Sequence, residues 1–310
     1  MNFPHYSVLL SEFLSYLEGR NLHSFIDGTL GAGGHSAALL AAHPEIQHLA
    51  GFDQDPEALS IAKERLKPWE TKIRLINANF SEMKTHLADG KINPIDGILL
   101  DLGVSSMQLD RAEKGFSFSK EGPLDMRMNP SNTLTAEEIV NAWPEEDLGY
   151  IFREYGEEKQ WRTAARILVK ARQEVPLKTT RDLVDVLTPA LRYHAKKGIH
   201  PATLIFQALR IAVNRELEVL ENVLPDALSL LSPGGILLVI TFHSLEDRIV
   251  KNFFRFAASD KFSTSGIGGM FLDKVPEAKL ITRKPIVASD EEIAKNTRSR
   301  SAKLRVLEKL

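Results

Sequence analysis

The chain has 310 residues, no cysteine and a formal net charge of −2 at neutral pH. Without cysteine it forms neither disulfides nor thiolate metal sites, and since no apolar run approaches about 18 residues, we expect no membrane-spanning helix. Its 43% hydrophobic content suffices for a substantial core. The N-terminal segment carries acids and no basic flank, so it does not resemble a signal peptide and we expect a cytoplasmic protein.

A glycine-rich loop follows the first predicted strand. The spacing of apolar residues predicts a short leading helix at Val8 to Leu17, and the next strand ends at Asp27 in the run FIDGTLGAGGH. Four glycines between Asp27 and His35 allow the backbone to turn tightly and to approach a ligand. A helix is predicted from about His35, and its first amides favour an anionic group, either a phosphate or a carboxylate.

The spacing of these glycines bears on the cofactor. A dinucleotide loop needs G-x-G-x-x-G, whereas this run reads G-x-G-G, with an acid, Asp27, already at the strand end. S-adenosylmethionine fits these features better, because it has a carboxylate, an ammonium that a nearby acid can hold, and no phosphate. A plain tight turn is the alternative.

Three more strands are predicted before the middle of the chain. His48 to Asp53 ends in an acid about 20 residues past the loop, where nucleoside-binding sheets hold ribose hydroxyls; the alternative role of Asp53 is a helix cap, although Asp55 is the more natural cap. Ile73 to Asn77 leads to Phe80, which packs either on a purine or in the core. Ile95 to Asp101 is nearly all apolar, as in a parallel strand that is buried on both faces.

Acids therefore follow three predicted strands, at Asp27, Asp53 and Asp101. Because the carboxyl ends of parallel strands meet at one edge of a sheet, we expect these side chains to lie close together. Strands that alternate with helices in this way predict an α/β fold with a mostly parallel sheet.

The alternation stops at about Asp110, and a helical pattern without a convincing strand continues to about Arg215. It predicts an inserted helical domain, with a capping box at Thr135 and Glu138 and another helix from near Thr180. From Lys159 to Arg215 the chain has 12 Lys and Arg against 3 Asp and Glu, an excess of +9 in a chain of net charge −2. This excess favours a polyanionic partner over a merely solvated surface.

The last third of the chain is predicted to return to the sheet. A helix at Leu217 to Leu231 precedes an apolar strand at Ile236 to Thr241. After this strand, Ser244 is predicted to cap the following helix with Asp247 as its capping-box partner. The alternative is that polar groups of this run face a substrate, namely His243, Ser244, Glu246 and Asp247. The remaining predictions are a glycine-rich loop at Ser265 to Met270, a sixth strand within Lys279 to Val287, and a final edge strand at Ala302 to Leu307.

With these features in place, the chain resembles the MraW family of bacterial methyltransferases, which methylate a cytidine of small-subunit ribosomal RNA on N4. The matching runs cover nearly the whole length and include HYSVLL, DGTLGAGGHS, DLGVSS, GPLDMRM, FQALRIAVN, PGGILLVITFHSLEDRIVK and RSRSAKLRV. Three positions depart from the family pattern: Leu204 and Ile205 replace an expected Arg-Thr pair, Arg215 replaces an acid, and Thr297 replaces a proline. The first departure affects an expected RNA contact, and none affects the cofactor positions.

The resemblance implies a class I, Rossmann-like methyltransferase with a seven-stranded, mostly parallel sheet. It implies a discontinuous catalytic domain at residues 1–110 and 216–310, and an inserted all-α domain at residues 111–215 that helps to hold the RNA. Its cofactor is S-adenosylmethionine, and its partner is 16S rRNA, methylated in the decoding region, or the small ribosomal subunit. The cofactor positions correspond to Gly33, Gly34, His35, Asp53, Phe80, Asp101 and Gln108.

The catalytic assignment rests on fewer residues than the cofactor assignment. Asp101 and neighbouring backbone carbonyls are the candidate acceptors for the protons of the target amino group. Amino-directed nucleic-acid methyltransferases often have a D/N-P-P-Y/F run after the fourth strand, and DLGVS does not match it. Asp125 with Arg127, or His243, are further candidates, although Asp125 and Arg127 can equally form a structural ion pair. No metal site is predicted. The rival functions are a small-molecule methyltransferase, a dehydrogenase, and a binding protein that retains the cofactor fold.

Overall fold

A mostly parallel sheet is the centre of the larger of two structural units. The structure is a computed structural model that describes residues 7–90, 92–191, 200–263 and 271–310. The chain divides into unit 1, Met1–Gly103 with Leu217–Leu310, and unit 2, Val104–Glu216. The strands are β1 Ser24–Asp27, β2 His48–Asp53, β3 Ile73–Asn77, β4 Ile95–Asp101, β5 Leu231–Thr241, β6 Lys261–Ser263, β7 Phe271–Asp273, β8 Ala278–Leu280, β9 Ile286–Val287 and β10 Lys303–Lys309.

Helices surround the sheet in unit 1 and form all of the regular structure described in unit 2. They are α1 Leu10–Ser15, α2 Gly34–Ala42, α3 Pro56–Arg65, α4 Met83–His86, α5 Ser106–Asp110, α6 Ala136–Ala142, α7 Glu145–Glu154, α8 Trp161–Glu174, α9 Thr180–Leu187, α10 Thr203–Asn214, α11 Glu216–Leu230, α12 Ser244–Ala257 and α13 Asp290–Lys295. Within the described ranges, no helix combines the length and the apolar character that crossing a membrane requires.

The strand order of the main sheet is β3-β2-β1-β4-β5-β10-β8, with β9 also paired to β10. The first five strands of this order are parallel, and β10 runs antiparallel to β5, β8 and β9. The α/β fold with a mostly parallel sheet is therefore confirmed. The predicted single strand at Lys279 to Val287 is wrong, because two short strands pair with different parts of β10, which brings the described strands of this sheet to eight.

The position of the last strand also differs from the prediction. Ala302 to Leu307 was expected at an edge, but β10 lies inside the sheet, hydrogen-bonded to β5 on one side and to β8 and β9 on the other. Leu304, Val306 and Leu307 are fully buried, as an interior strand requires. The predicted loop at Ser265 to Met270 lies outside the described residues.

The central strands of the sheet, among them β1 and β4, are covered on both faces. Ile26 of β1 and Leu100 of β4 belong to one buried cluster, with residues of α11 and α12. Phe25 of β1 and Leu99 of β4 belong to the opposite cluster, with residues of α1, α2 and α3. Successive strand residues point to opposite faces, so the unbroken apolar runs of the sequence are the expected composition of doubly covered strands.

Unit 2 has a core of its own. It is formed by apolar residues spaced along α6 to α10, among them Leu148, Phe152, Leu168, Leu183 and Leu209. An isolated bridge between Pro123 and Thr179 is the only β-pairing among the described residues of this unit. Thr135 caps α6 by accepting a hydrogen bond from the Glu138 N–H, and Thr179, one residue before the predicted start, caps α9.

The N-terminus of α12 corrects a predicted cap. The N-cap is His243 rather than Ser244, and Glu246 accepts hydrogen bonds from the Phe242 N–H at 2.8 Å and the His243 N–H at 3.3 Å. Asp247 is not part of the cap, because its carboxylate accepts bonds from Arg305 of β10 at 2.7 and 3.2 Å. This ion pair joins α12 to the interior strand β10, and both side chains are almost fully buried. Burial acts to raise the pKa of Asp247, but the hydrogen bonds and positive charge of Arg305 lower it below its usual value.

Asp247→Ala should lower the free energy of unfolding by about 3 to 5 kcal/mol, because it leaves the buried guanidinium of Arg305 without its carboxylate. Urea unfolding followed by circular dichroism measures this change. The double variant Asp247→Leu/Arg305→Met should recover most of the loss, and Arg181→Ala, which breaks an exposed pair with Asp185, should change stability by less than about 1 kcal/mol. If Asp247→Ala were as stable as the wild type, the assignment of Asp247 and Arg305 as a stabilising buried ion pair would be contradicted.

Candidate functional site

Three acids lie at the carboxyl ends of neighbouring parallel strands, as the sequence predicted. β1 is between β2 and β4, and Asp27 is in register with Gly51 and Leu99. Asp53 and Asp101 therefore lie two residues beyond Asp27, or about 6.6 Å further toward the strand ends. Asp53 and Asp101 are therefore the two outer acids of this edge, and Asp27 is the inner one.

The loop after β1 begins α2 with a left-handed residue. Gly33, the N-cap of α2, has φ 74°, a conformation that glycine adopts without steric cost. The first amides of α2, from Gly34 onward, have no carbonyl partner within the helix and face the end of the sheet with partial positive charge. Gly28 is needed for a different reason, because a Cβ there would lie 2.6 Å from Leu100 Cδ2 and 3.2 Å from Phe80 Cβ.

The carboxyl group of Asp27 accepts hydrogen bonds from the glycine loop and from α2. One carboxyl oxygen accepts a hydrogen bond from the Thr29 N–H at 3.2 Å, and the other accepts one from the Ser36 hydroxyl at 2.6 Å. The side chain is buried, and burial raises its pKa from 3.8 to about 6, a rise to which Asp53 adds and which the two hydrogen bonds oppose. Asp27 therefore connects β1 to the glycine loop through one carboxyl oxygen and to α2 through the other.

Asp53 holds the loop from the neighbouring strand. Its carboxylate accepts hydrogen bonds from the Gly31 N–H and the Asp55 N–H, each at 2.8 Å. Asp55 in turn caps α3 by accepting the Glu57 N–H, so the helix-cap alternative for Asp53 is wrong. Asp53 is half-buried at the edge of the sheet, with a carboxylate whose lone pairs can accept more than one bond on each oxygen.

Phe80 lies at the start of a 3-10 turn, Phe80–Glu82, that follows β3. Asn79 fixes this turn by accepting the Ser81 N–H at 3.0 Å, while Glu82 accepts the Asn79 N–H at 3.2 Å. The aromatic ring is half-buried and packs against the core beside the glycine loop. It combines a packing role with a partly exposed aromatic surface at the edge of the sheet.

His35 and Asp101 lie close together at this edge. His35 Nε2 lies 2.9 Å from the carbonyl oxygen of Val8, and Nδ1 lies 3.6 Å from Asp101 Oδ2. Burial lowers the pKa of His35 to about 4, so the ring is neutral at neutral pH. Because a carbonyl oxygen only accepts, Nε2 carries the proton and Nδ1 presents a lone pair to Asp101.

Asp101 has an unsatisfied oxygen. Its backbone N–H donates to Thr29 Oγ1 at 2.6 Å, whereas Oδ1 is buried and has no hydrogen-bond partner among the described residues. Burial raises the pKa of Asp101 well above its usual range, and the nearby carboxyl groups of Asp27 and Glu246 raise it further. The two acceptors, Asp101 and His35 Nδ1, therefore favour a bound cation or an N–H donor.

Thr29 contributes to this environment in a way that sequence patterns did not predict, whereas Glu246 is one of the residues that the sequence offered as facing a substrate. Thr29 belongs to the glycine loop, and Glu246 belongs to the run TFHSLEDR that follows β5. The signal for Thr29 was its place between two loop glycines. The contact of Glu246 with the α12 cap requires knowledge of where that helix begins.

The other predicted residues have partners of their own. Gln108 belongs to unit 2, in the first turn of α5, where its side chain accepts the Ser105 N–H in a capping box. Asp125 and Arg127, also in unit 2, form a two-bonded ion pair at 2.9 and 2.7 Å that lowers the pKa of Asp125 despite partial burial. His243 Nε2 lies 3.1 Å from Glu246. None of these contacts assigns a catalytic role.

A cavity of about 810 Å³ borders α2 on another side. It is lined by residues of α1, α2, α3 and α13, and among the predicted cofactor residues it includes Gly34 alone. The candidate site is therefore defined by the residues at the strand ends, not by this cavity.

The buried carboxyl of Asp27 predicts a pH dependence of stability. Between about pH 4 and pH 6 the folded protein retains a proton on Asp27 that the unfolded chain has released. Raising the pH through this window should cost the folded state up to about 3 kcal/mol. In Asp27→Asn this loss should be absent, so the stability difference between variant and wild type should shift in favour of the variant as pH rises. Urea unfolding at several pH values measures it, and a parallel decline in both proteins would contradict the role of Asp27.

Comparison with known proteins agrees with this geometry. Residues 2–310 match the family described as the MraW methylase family. A ribosomal RNA small subunit methyltransferase H of Protochlamydia amoebophila is 59% identical over 309 residues, covering 99% of this chain and 98% of that protein. Proteins of the same name from Citrifermentans bemidjiense and Heliobacterium mobile are each 48% identical, covering 100% of this chain and 99% and 100% of their own lengths. The chain belongs to the MraW methylase family.

Proposed function

We propose that the protein transfers a methyl group from S-adenosylmethionine to the exocyclic N4 of a cytidine in 16S ribosomal RNA, in the decoding region. The observation that carries the proposal is the pair of buried acceptors, Asp101 and His35 Nδ1, at the sheet edge where the glycine loop begins α2. Family membership supports the methyl donor, and the name shared by the relatives supports small-subunit rRNA as the substrate.

The residues at the strand ends fit the methyl donor. The first amides of α2, at Gly34 and His35, suit a carboxylate, and Asp53 stands where a ribose would be held. Phe80 offers a partly exposed aromatic face for the adenine, and the unpaired Asp101 Oδ1 suits an ammonium or an amino group. Gln108 stays a family-based prediction, since its position belongs to unit 2.

The bound S-adenosylmethionine supplies an electrophilic methyl group on a sulfonium. The protein must hold the nucleophile about 3 to 3.5 Å from that carbon and in line with the bond that breaks. Cytosine N4 is a weak nucleophile because its lone pair is delocalised into the ring. A carboxylate that accepts hydrogen bonds from the amino protons helps to localise this lone pair, and Asp101 is the residue that we propose for this role.

The helical unit supports the choice of a large anionic substrate. The excess of basic residues between Lys159 and Arg215 lies within unit 2. We propose residues 111–215 as the substrate domain for rRNA. Among its basic residues, Arg192, Lys196 and Lys197 lie outside the described part of the chain.

The reaction is tested by incubating the protein with S-adenosylmethionine labelled in its methyl group. The acceptors are purified 16S rRNA, assembled small subunits, and a mixture of small metabolites, each in a separate reaction. Label should enter rRNA, free or assembled, and nuclease digestion should release N4-methylated cytidine. Label that enters only small molecules would favour a small-molecule methyltransferase and contradict the proposal.

The roles of Asp101 and Asp53 can be separated by kinetics. Asp101→Asn should lower the single-turnover rate at saturating cofactor by about 10²-fold, typical of losing one transition-state contact, and leave cofactor affinity nearly unchanged. Asp53→Ala should do the reverse, weakening cofactor binding by about 1.5 to 3 kcal/mol. Calorimetry measures the affinities, and thermal unfolding confirms that both variants fold. Lost affinity with an undiminished saturated rate in Asp101→Asn would assign Asp101 to the cofactor alone.

A further inference from the structure

The exposed face of α8 carries a row of unpaired basic residues. Arg162, Arg166 and Lys170 are spaced four residues apart, so they lie along one side of the helix, with their Cα atoms about 6 Å apart along its axis. All three are exposed, whereas Ala164, Ala165 and Leu168 on the opposite side are buried in the core of unit 2. We call these three basic residues the α8 row.

The charges of the α8 row have no carboxylate partner in the described part of the chain. No ion pair or side-chain hydrogen bond is formed there by any of the three, and α8 contains no acid before Glu174. Other arginines of the same unit are neutralised, since Arg127, Arg181 and Arg210 each contact a carboxylate at 3.1 Å or less. The α8 row therefore presents a concentrated positive charge that is available to an anion.

Aromatic side chains lie at the N-terminal end of the row. The guanidinium of Arg162 is 4.0 Å from the centre of the Trp161 ring, and that of Arg153, on α7, is 5.3 Å from it. Trp161 also packs on Gly149, where an added Cβ would approach the ring to 2.9 Å. The next residue on α7, Tyr150, is 51% exposed and meets Tyr155 edge to face at 6.0 Å.

This combination identifies a class of partner. Phosphates need unpaired cations, and unstacked bases gain about 1 to 3 kcal/mol each by stacking on an aromatic face. A paired helix offers its phosphates but not its base faces, so an exposed tyrosine on α7, the helix packed against α8, together with the basic row favours a single-stranded segment. We propose that the α8 row and Tyr150 form a contact surface for a single-stranded segment of the substrate rRNA, a proposal that rests on the function proposed above.

The first test measures RNA affinity of the full-length protein by fluorescence anisotropy. The probes are a labelled single-stranded oligoribonucleotide and a labelled hairpin of the same composition. The variant Arg162→Gln/Arg166→Gln/Lys170→Gln should bind the single strand on the order of 10- to 100-fold more weakly at physiological salt. The slope of log affinity against log salt should fall by about 2, since each single-strand contact contributes about 0.7.

A matched control keeps the charge change and the structural unit constant. The variant Lys120→Gln/Lys178→Gln/Arg181→Gln also removes three positive charges from unit 2, from residues outside α8, and should alter the salt slope by less than about one contact, or 0.7. Both variants should bind S-adenosylmethionine like the wild type, which shows that they fold. An unchanged slope in the α8 variant, or an equal loss in the control, would overturn the proposal.

Tyr150 provides a second measurement that net charge does not affect. Tyr150→Ala should weaken single-strand binding by roughly 10-fold through lost stacking, with little effect on the salt slope, and Tyr150→Phe should retain the wild-type affinity. An equal effect of Tyr150→Ala on the hairpin, or no effect on either probe, would exclude the stacking role. The methylation assay of the wild-type protein tests the proposed reaction separately. If the wild-type protein methylates rRNA but the α8 variant binds RNA normally, the proposed contact surface is refuted and the proposed reaction is not.

Discussion

The buried carboxyl of Asp27 is the interaction on which the candidate site depends. It accepts bonds from Thr29 in the loop and from Ser36 in α2, and so fixes the turn between strand and helix. The hydroxyl oxygen of Thr29 in turn accepts a hydrogen bond from the backbone N–H of Asp101. Two neighbouring strands and the start of a helix are thereby joined through side chains, at the cost of a buried acid whose pKa rises to about 6.

The accumulation of acids at one edge has an electrostatic consequence for ligand binding. Besides burial, the carboxyl group of Asp53 raises the pKa of Asp27, and those of Asp27 and Glu246 raise the pKa of Asp101. A cation bound among these carboxyl groups offsets their mutual repulsion, which is uncompensated when no ligand is bound. The first amides of α2 supply the opposite polarity a short distance away, so the edge is suited to a ligand that carries both a positive and a negative group.

Local patterns in the sequence predicted the elements that depend on local interactions. Apolar runs and following acids located β1, β2 and β4, and Asp55 was identified as the cap of α3.

The errors arose where distant residues decide the structure. Asp247 looked like a capping-box partner, but it pairs with Arg305, 58 residues away. The division of the predicted sixth strand into β8 and β9 likewise depends on pairing with β10, the last strand of the chain. The unpaired oxygen of Asp101 was also beyond sequence reasoning, because burial of a single atom depends on all its neighbours.

The strand order has a consequence for how the protein is made. β5 covers the free edge of β4, but about 130 residues of unit 2 and its flanking segments separate the two strands in the chain. During synthesis the N-terminal half of the sheet must wait, with the β4 edge unpaired, while the helical unit emerges and completes a core of its own. The sheet is then closed from the C-terminal side, first by β5 and last by β10. Removal of residues 303–309 would therefore delete an interior strand that pairs on both sides.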